Sequence, residues 1–306
     1  MRVTFWGVRG SIPCPGKDTV RYGGNTACVA LQLEKPRRLI VIDAGSGIRE
    51  LGNALMQRRE NEPSGCIEAD IFLTHTHWDH IMGFPFFSPI YLPTTRLKIH
   101  GPLTYEEESL KDILSTQWTY RHFPIRHEEL GSRVEYRELK EDRYDLGDGL
   151  HLTTKYLNHP LLCLGYRFEK KGKVFCTAFD TEPFYNLFIT DPNDPDYDPV
   201  MAAEGQEAAD RENQRMEAFV QDADLLIYDT QYTREEYEHN RRGWGHSPME
   251  QAIETARRNR VKQLALFHHD IQRSDRQMDR LTRTYCRRDA EGTRIFFARE
   301  GMQVDL

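Results

Sequence analysis

The residues with the clearest chemical potential lie together in Thr74-His75-Thr76-His77-Trp78-Asp79-His80, where four candidate metal ligands fall within six positions. A chance H-x-H-x-D-H match in a chain of this composition is roughly a one-in-a-thousand event. On an extended segment His75 and His77 project to the same side. A turn into a following helix then lets Asp79 and His80 address a second ion beside the first. Imidazoles with one carboxylate suit zinc, and also manganese or iron. One motif cannot fill two sites, so further ligands must come from later strand ends, and three residues stand out. His159 directly follows the run His151–Leu157, Asp180 closes Cys176-Thr177-Ala178-Phe179-Asp180, and His268 ends Leu264-Ala265-Leu266-Phe267-His268. Period two puts His268 on the side of Leu264 and Leu266 and turns His269 away, so His268 is the candidate of that pair.

These residues need rigid elements behind them. Strand-like runs occur at Arg2–Trp6, Ala27–Leu33, Arg38–Ile42, Asp70–Thr74 and Arg96–His100, β-branched or aromatic and broken by Gly and Pro. Helices are expected from Ser46 to Arg59 and from Leu103 to Trp118. Val134–Phe179 reads as mostly strand, with a turn at Tyr144–Gly149 and a hairpin loop at Lys171-Gly172-Lys173. Asp224–Tyr228 and Val261–Phe267 read as buried strands, each preceded by a helical segment. Ser247-Pro248-Met249-Glu250 offers a helix start: Ser as N-cap, Pro at the first helical position, and Glu three residues after the cap. This order predicts two mixed sheets packed together with helices outside, in a single domain spanning residues 1–306. Between Asp191 and Asp210 stand seven acids, three prolines and no Lys or Arg, which predicts a long acidic surface loop. Arg257–Arg299 carries twelve basic residues against five acidic ones, and reads as a solvated Arg-rich face or as a nucleic-acid surface.

The 306 residues carry a formal net charge of −7, which argues against a protein built to coat DNA or an anionic membrane. No apolar run approaches the roughly 18 residues of a membrane span. The N-terminus runs straight into a first strand without a signal-peptide core, so a cytoplasmic protein with no membrane partner is expected. Six cysteines without a C-x-x-C pair predict buried, reduced thiols. Homo-oligomerisation is left open.

Taken as a set, these residues resemble the metallo-β-lactamase-fold hydrolases over nearly the whole chain. Val41-Ile42-Asp43-Ala44-Gly45 is similar to the family's first motif, whose Asp supports the metal site without being a ligand. His75, His77, Asp79 and His80 match the second motif, His159 the third, Asp180 the fourth and His268 the last. The resemblance implies an α/β fold, the four-layer αββα sandwich, with the site at one edge. It implies two divalent ions, zinc first, with His75, His77 and His159 on one, Asp79, His80 and His268 on the other, and Asp180 bridging. Such a pair would share and activate one water.

Details narrow the branch. The redox flavodiiron members carry a carboxylate at the position of His77, common zinc β-lactamases a Cys at that of Asp180, and glyoxalase-II-like thioesterases a Gly-Gly after the second motif. Phe179-Asp180-Thr181 and Gly245-His246-Ser247 look more like the phosphodiesterase branch, which includes ribonuclease Z and small-molecule phosphodiesterases. Pro248 stands where ribonuclease Z has Thr, and no segment resembles that enzyme's long tRNA-gripping arm. The expected function is thus hydrolysis of a small nucleotide-type phosphodiester, a cyclic nucleotide among the candidates. Asp79 and His246 are the expected catalytic residues. His246 would protonate the leaving alkoxide, its pKa lowered by the helix N-terminus behind it. Gly7–Pro13 and Tyr22–Thr26 resemble a bacterial subset of the fold. There the glycines would allow close approach to the metal site and Arg9 would sit near an anionic substrate, or the segments are simply tight turns. The rival readings are a lactone, ester or thioester hydrolase on the same metals, and a nuclease or nucleic-acid-binding protein using the Arg-rich C-terminal region.

Overall fold

Among the described residues, short runs bounded by Gly, Pro and Asp become fourteen strands: β1 (Arg2–Gly7), β2 (Cys28–Glu34), β3 (Arg37–Ile42), β4 (Ile67–Phe72), β5 (Thr95–Pro102), β6 (Arg133–Leu139), β7 (Arg143–Asp145), β8 (Leu150–Tyr156), β9 (Leu164–Lys170), β10 (Lys173–Ala178), β11 (Leu225–Asp229), β12 (Gln263–Phe267), β13 (Arg294–Phe297) and β14 (Gln303–Asp305). The helices are α1 (Ile48–Asn61), α2 (Trp78–Ile81), α3 (Leu110–Ser115), α4 (Pro199–Val220), α5 (Arg234–Asn240), α6 (Met249–Arg258) and α7 (Asp275–Tyr285). The computed structural model describes residues 1–61, 65–103, 108–286 and 292–306.

The strands form two seven-stranded sheets, in the orders β14-β1-β2-β3-β4-β5-β6 and β13-β12-β11-β10-β9-β8-β7. Each is antiparallel on one side and parallel on the other, through β3–β6 in the first and β10–β13 in the second. Inner faces supply one core, including Val29, Ile42, Phe72, Leu152, Phe168, Phe175, Ile227 and Phe267. Phe72 crosses between the sheets, edge-on to Tyr166 and Phe168 at 5.4 and 5.3 Å. Such pairs add about 0.5–1.5 kcal/mol each beyond simple burial. A second core lies under α4, α6 and α7, and a third under α1 and α3. This is the αββα sandwich.

Several boundaries depart from expectation. The segment 191–210 is a loop only as far as Asp198, whose carboxylate accepts the Val200 and Met201 N–H groups and starts α4 at Pro199. A capped start and four alanines between 202 and 209 outweigh the acids, which point outward at Glu204, Glu207 and Asp210. The helix expected over 103–118 reduces to α3 and a 3₁₀ turn at Thr116–Trp118, with Ser109 and Asp112 forming the capping box, and residues 104–107 lie outside the described residues. Ser247 is not the cap of α6: Pro248 occupies that position, and the Ser247 hydroxyl donates instead to Thr181 O at 2.6 Å. Glu250 is drawn off as well, accepting from Arg234 N and the Tyr285 hydroxyl. The cysteines are all unpaired, with Cys28, Cys163 and Cys176 buried, but Cys66 is exposed. No helix among the described residues is long and apolar enough to cross a membrane.

Candidate metal centre

Parallel strands deliver their carboxyl ends to one edge, and ligand sites in such sheets form there. Asp43 follows β3, Thr74 and His75 follow β4, Asp180 follows β10, Asp229 ends β11 and His268 follows β12. β8 runs antiparallel to β9, and β9 antiparallel to β10, so β8 points the same way as β10 and brings His159 to the same edge. Asp43, Asp180 and His268 all adopt left-handed backbone conformations, with φ of 61°, 49° and 62°. Each strand thus turns sharply at the residue that enters the site.

The side chains converge in two overlapping groups. In the first, His77 Nδ1 lies 2.9 Å from His75 Nε2 and 3.1 Å from His159 Nε2, and His75 Nε2 lies 3.6 Å from Asp180 Oδ2. In the second, His80 Nε2 lies 3.3 Å from Asp79 Oδ2 and 3.2 Å from Asp180 Oδ2. His268 Nε2 completes it, 3.2 Å from Asp79 Oδ2 and 3.3 Å from Asp180 Oδ1. One ligand atom from each residue of either group falls within 4.8 Å of the others, and Asp180 belongs to both, as it does to a third such group with Asp229, His246 and His268. His269 stays outside and bonds Ala298 O through Nε2 at 2.9 Å.

Outer partners orient the rings. Asp43 Oδ2 holds His80 Nδ1 at 2.7 Å while Oδ1 accepts the Thr74 N–H, so His80 Nε2 faces the centre. Gly245 O accepts from His159 Nδ1 at 3.1 Å, which frees the His159 Nε2 lone pair. Ser11 N–H donates to Asp79 Oδ2 at 2.7 Å. Gly10 packs so closely that an added methyl would lie 2.3 Å from His268 Cε1. Arg9, by contrast, is fully buried and binds the carbonyls of Gly23, Asp270 and Arg273. It ties loops together and has no exposure to meet a substrate, so of its two readings the turn holds.

Electrostatics suit a cation. Burial pushes His75 well below the usual imidazole range, and His159 down to about 4, so both are neutral at pH 7, as metal ligands must be. Burial also opposes charge on His80, but Asp180, Asp79 and Asp43 outweigh it and hold the ring well above the usual range. Buried, His80 Nε2 and Asp180 Oδ1 have no hydrogen-bond partner. Orphaned polar atoms aimed at one point are costly in a folded protein and are satisfied by an ion. Three imidazoles and a carboxylate on one side, and two imidazoles with two carboxylates on the other, fit divalent transition metals.

His246 sits beside the second group, stacked on His268 with ring centroids 4.9 Å apart. Sequence reasoning missed its partner. Asp229 Oδ2 lies 2.8 Å from His246 Nδ1 and also accepts the Thr181 N–H at 3.1 Å. The signal was available, since Asp229 ends the run Leu225-Leu226-Ile227-Tyr228 as Asp180 ends its own. This partner reverses the expected pKa direction. Burial works against a charged ring, yet Asp229 prevails and His246 is raised to about 9. α6 begins only at Met249, with Pro248 at its cap, so His246 stands outside the helix start.

Residues 38–189 match the family model described as Beta-lactamase superfamily domain. The Ribonuclease Z of Thermococcus gammatolerans is 26% identical over 290 residues, covering 88% of this chain and 83% of that one. The Ribonuclease Z of Bacillus cereus is 25% identical over 302 residues, covering 88% of each. Among solved structures, the metallo-beta-lactamase fold protein YhfI from Bacillus subtilis superposes with a TM-score of 0.63 at 16% identity, over 99% of this chain and 98% of that one. A diphosphatase of the PhnP family gives 0.62 at 17% identity, over 100% and 97%. The short form of human tRNase Z gives 0.59 at 19% identity, over 100% and 99%. With the two sheets and the ligand-rich edge, these likenesses make the chain a metal-dependent hydrolase with a beta-lactamase superfamily domain over residues 38–189.

Proposed function

We propose that the chain is a phosphodiesterase acting on a small nucleotide-type phosphodiester, with cyclic mononucleotides the first substrates to try. The observation that carries this reading is the Asp229–His246 pair at the edge of the second ligand group. Attack of hydroxide on a phosphodiester breaks a P–O bond and expels an alkoxide, a poor leaving group that needs a proton, and a buried imidazole held protonated by a carboxylate is a donor for it. In this reading His75, His77 and His159 would hold one ion and Asp79, His80 and His268 the other, with Asp180 within reach of both. Zinc is the proposed metal, in keeping with the Zn(2+)-bound PqqB structure from Methylobacterium extorquens, which shares the fold with a TM-score of 0.62. When bound, such ions supply an activated water and neutralise phosphoryl oxygens. The chain's own residues do the rest. Asp43 and Gly245 O fix the tautomers of His80 and His159, Ser11 N–H orients Asp79, and His246 delivers the proton.

The relatives named Ribonuclease Z favour a second reading, cleavage of an RNA phosphodiester. The basic C-terminal region gives it modest support, because Arg258, Arg260, Lys262 and Arg273 are each engaged by an acid. One panel separates the readings: a bis-aryl phosphate, cyclic nucleotides, a precursor tRNA, a lactone, a thioester and a β-lactam. Greatest kcat/KM on a small phosphodiester is expected. A lactone or thioester preferred over every phosphodiester would overturn the reading, and a preferred tRNA would replace it with the second. A cytoplasmic location belongs to the same proposal, supported by six unpaired cysteines.

A further inference from the structure

The loop that carries His246 is held by a residue that belongs to neither ligand group. Glu182 is buried at 4% exposure, two positions beyond Asp180. Its Oε2 accepts the Tyr237 hydroxyl at 2.7 Å and the Gly243 N–H at 2.9 Å, while Oε1 accepts the Gly245 N–H at 3.1 Å. Its own N–H donates to Asn158 O, the residue before His159, at 3.0 Å. Its carboxylate therefore ties α5 to the 243–245 backbone, and its backbone N–H ties both to the approach to His159.

We propose that Glu182 is the positioning residue that latches residues 243–246 onto the ligand clusters, an assignment that rests on the hydrolase reading above. Besides Glu182, the segment is held by the His246–Asp229 and His159–Gly245 O bonds and by a turn bond from Trp244 N–H to Arg241 O, none of which binds the N–H groups of the two glycines. Gly243 and Gly245 take positive φ values of 85° and 79°, and Trp244 is 55% exposed. Yet the backbone must lie against the His159 ring, since a methyl on Gly245 would stand 2.2 Å from His159 Nδ1. The same residue's carbonyl is the acceptor that keeps His159 Nε2 turned inward. A latch at Gly243 and Gly245 thus controls two groups at once: the orientation of His159, and the distance of His246 from the reacting centre. Glu182 acts through both without touching either ring.

Glu182→Gln tests this in the full-length protein as purified. The amide keeps the volume but presents one oxygen, so an N–H or hydroxyl of the loop loses its acceptor. Losing a hydrogen bond to a carboxylate shifts a local opening equilibrium by about ten- to a hundredfold. Arg241 and Arg242 lie just before the loop and report such opening as tryptic nicking. Expected are nicking after these residues about tenfold faster than wild type, a Tm within about 5 °C, and kcat on an alkyl phosphodiester down about tenfold with KM changed less than about twofold. Tyr237→Phe removes one of the three bonds from outside the loop and should fall between wild type and Glu182→Gln. It also serves as the working variant if Glu182→Gln fails to fold. Nicking at the wild-type rate in both variants, or acceleration at every tryptic site in parallel, overturns the latch. If the wild type cleaves no phosphodiester, the hydrolase substrate reading fails alone, and the nicking rates still decide for or against the latch.

Discussion

Replacing His246 by alanine tests the acid role directly, because the loss should depend on the leaving group. His246 is bonded to Asp229 at 2.8 Å, and Asp229 is itself fully buried and fixed by the Thr181 and Gln231 N–H groups. The pair holds the ring at a pKa of about 9 against the opposing effect of burial. At pH 7 the imidazole is therefore charged and carries a proton to give. General acid catalysis of this kind is worth about 10²–10⁴-fold, or about 3–5.5 kcal/mol of barrier. His246→Ala should lose that factor in kcat/KM on a diester with an alkoxide leaving group and lose little on a nitrophenyl diester, whose leaving group needs no proton. The sign of the pH dependence follows. The acid form is present below about pH 9 and is lost as pH rises through it, so the alkoxide reaction declines above that point. Asp229→Asn removes the carboxylate that raises the ring and should move the decline toward neutral pH. Far-UV spectra and metal content serve as controls. Equal losses on the two substrates would refute the acid role and leave His246 a binding or structural residue.

Elemental analysis should find about two transition-metal ions per chain; Asp180→Ala should lose both, His77→Ala about one, and full metal content in either variant would break the assignment. Gly10→Ala forces a methyl to 2.3 Å from the His268 ring; a displacement near 1 Å should cost about 10²-fold in kcat with Tm barely changed, and unaltered kinetics would show that the ring has room to move. Asp70 is held below its usual range, where burial is outweighed by hydrogen bonds from His100 and Arg38. The stability this pairing contributes is present above the unfolded pKa near 3.9 and is lost as pH falls through the lower folded-state value, so Asp70→Asn should cost about 1–3 kcal/mol at pH 7 in chemical unfolding and progressively less as the acid limb is descended; a cost that does not shrink in acid would contradict the ion pairing.

The sandwich and the gathering of His and Asp side chains at its edge were legible because both follow from strand ends. A buried run such as Leu264–Phe267 shows itself by composition, and the polar residue closing it has nowhere to go but the sheet edge. Asp229 obeys the same rule, although an Asp after a strand is equally an ordinary turn residue. What stayed hidden was set by partners distant in sequence. Ser247 has the chemistry of an N-cap, but Thr181 O, contributed by the other side of the site, takes its hydroxyl. Arg9 reads as a free cation until three carbonyls, two of them more than 260 residues away, surround it. The acidic segment misled for a local reason: charge density suggests a loop, whereas Asp198, Pro199 and the alanines beyond make a helix start.

Asp43, Asp180 and His268 share a conformation that glycine tolerates and other residues adopt at a cost of about 1–2 kcal/mol each. The positions that carry the chemistry are thus ones where the fold would rather have no side chain at all. A search for stabilising substitutions, judged only by melting temperature, would be drawn to glycine or asparagine at all three. Its product would be a sturdier sandwich stripped of three of the side chains gathered at its edge. Resistance to heat and possession of the centre therefore pull in opposite directions at the strand tips, and improvement of one has to be sought in residues far from the other.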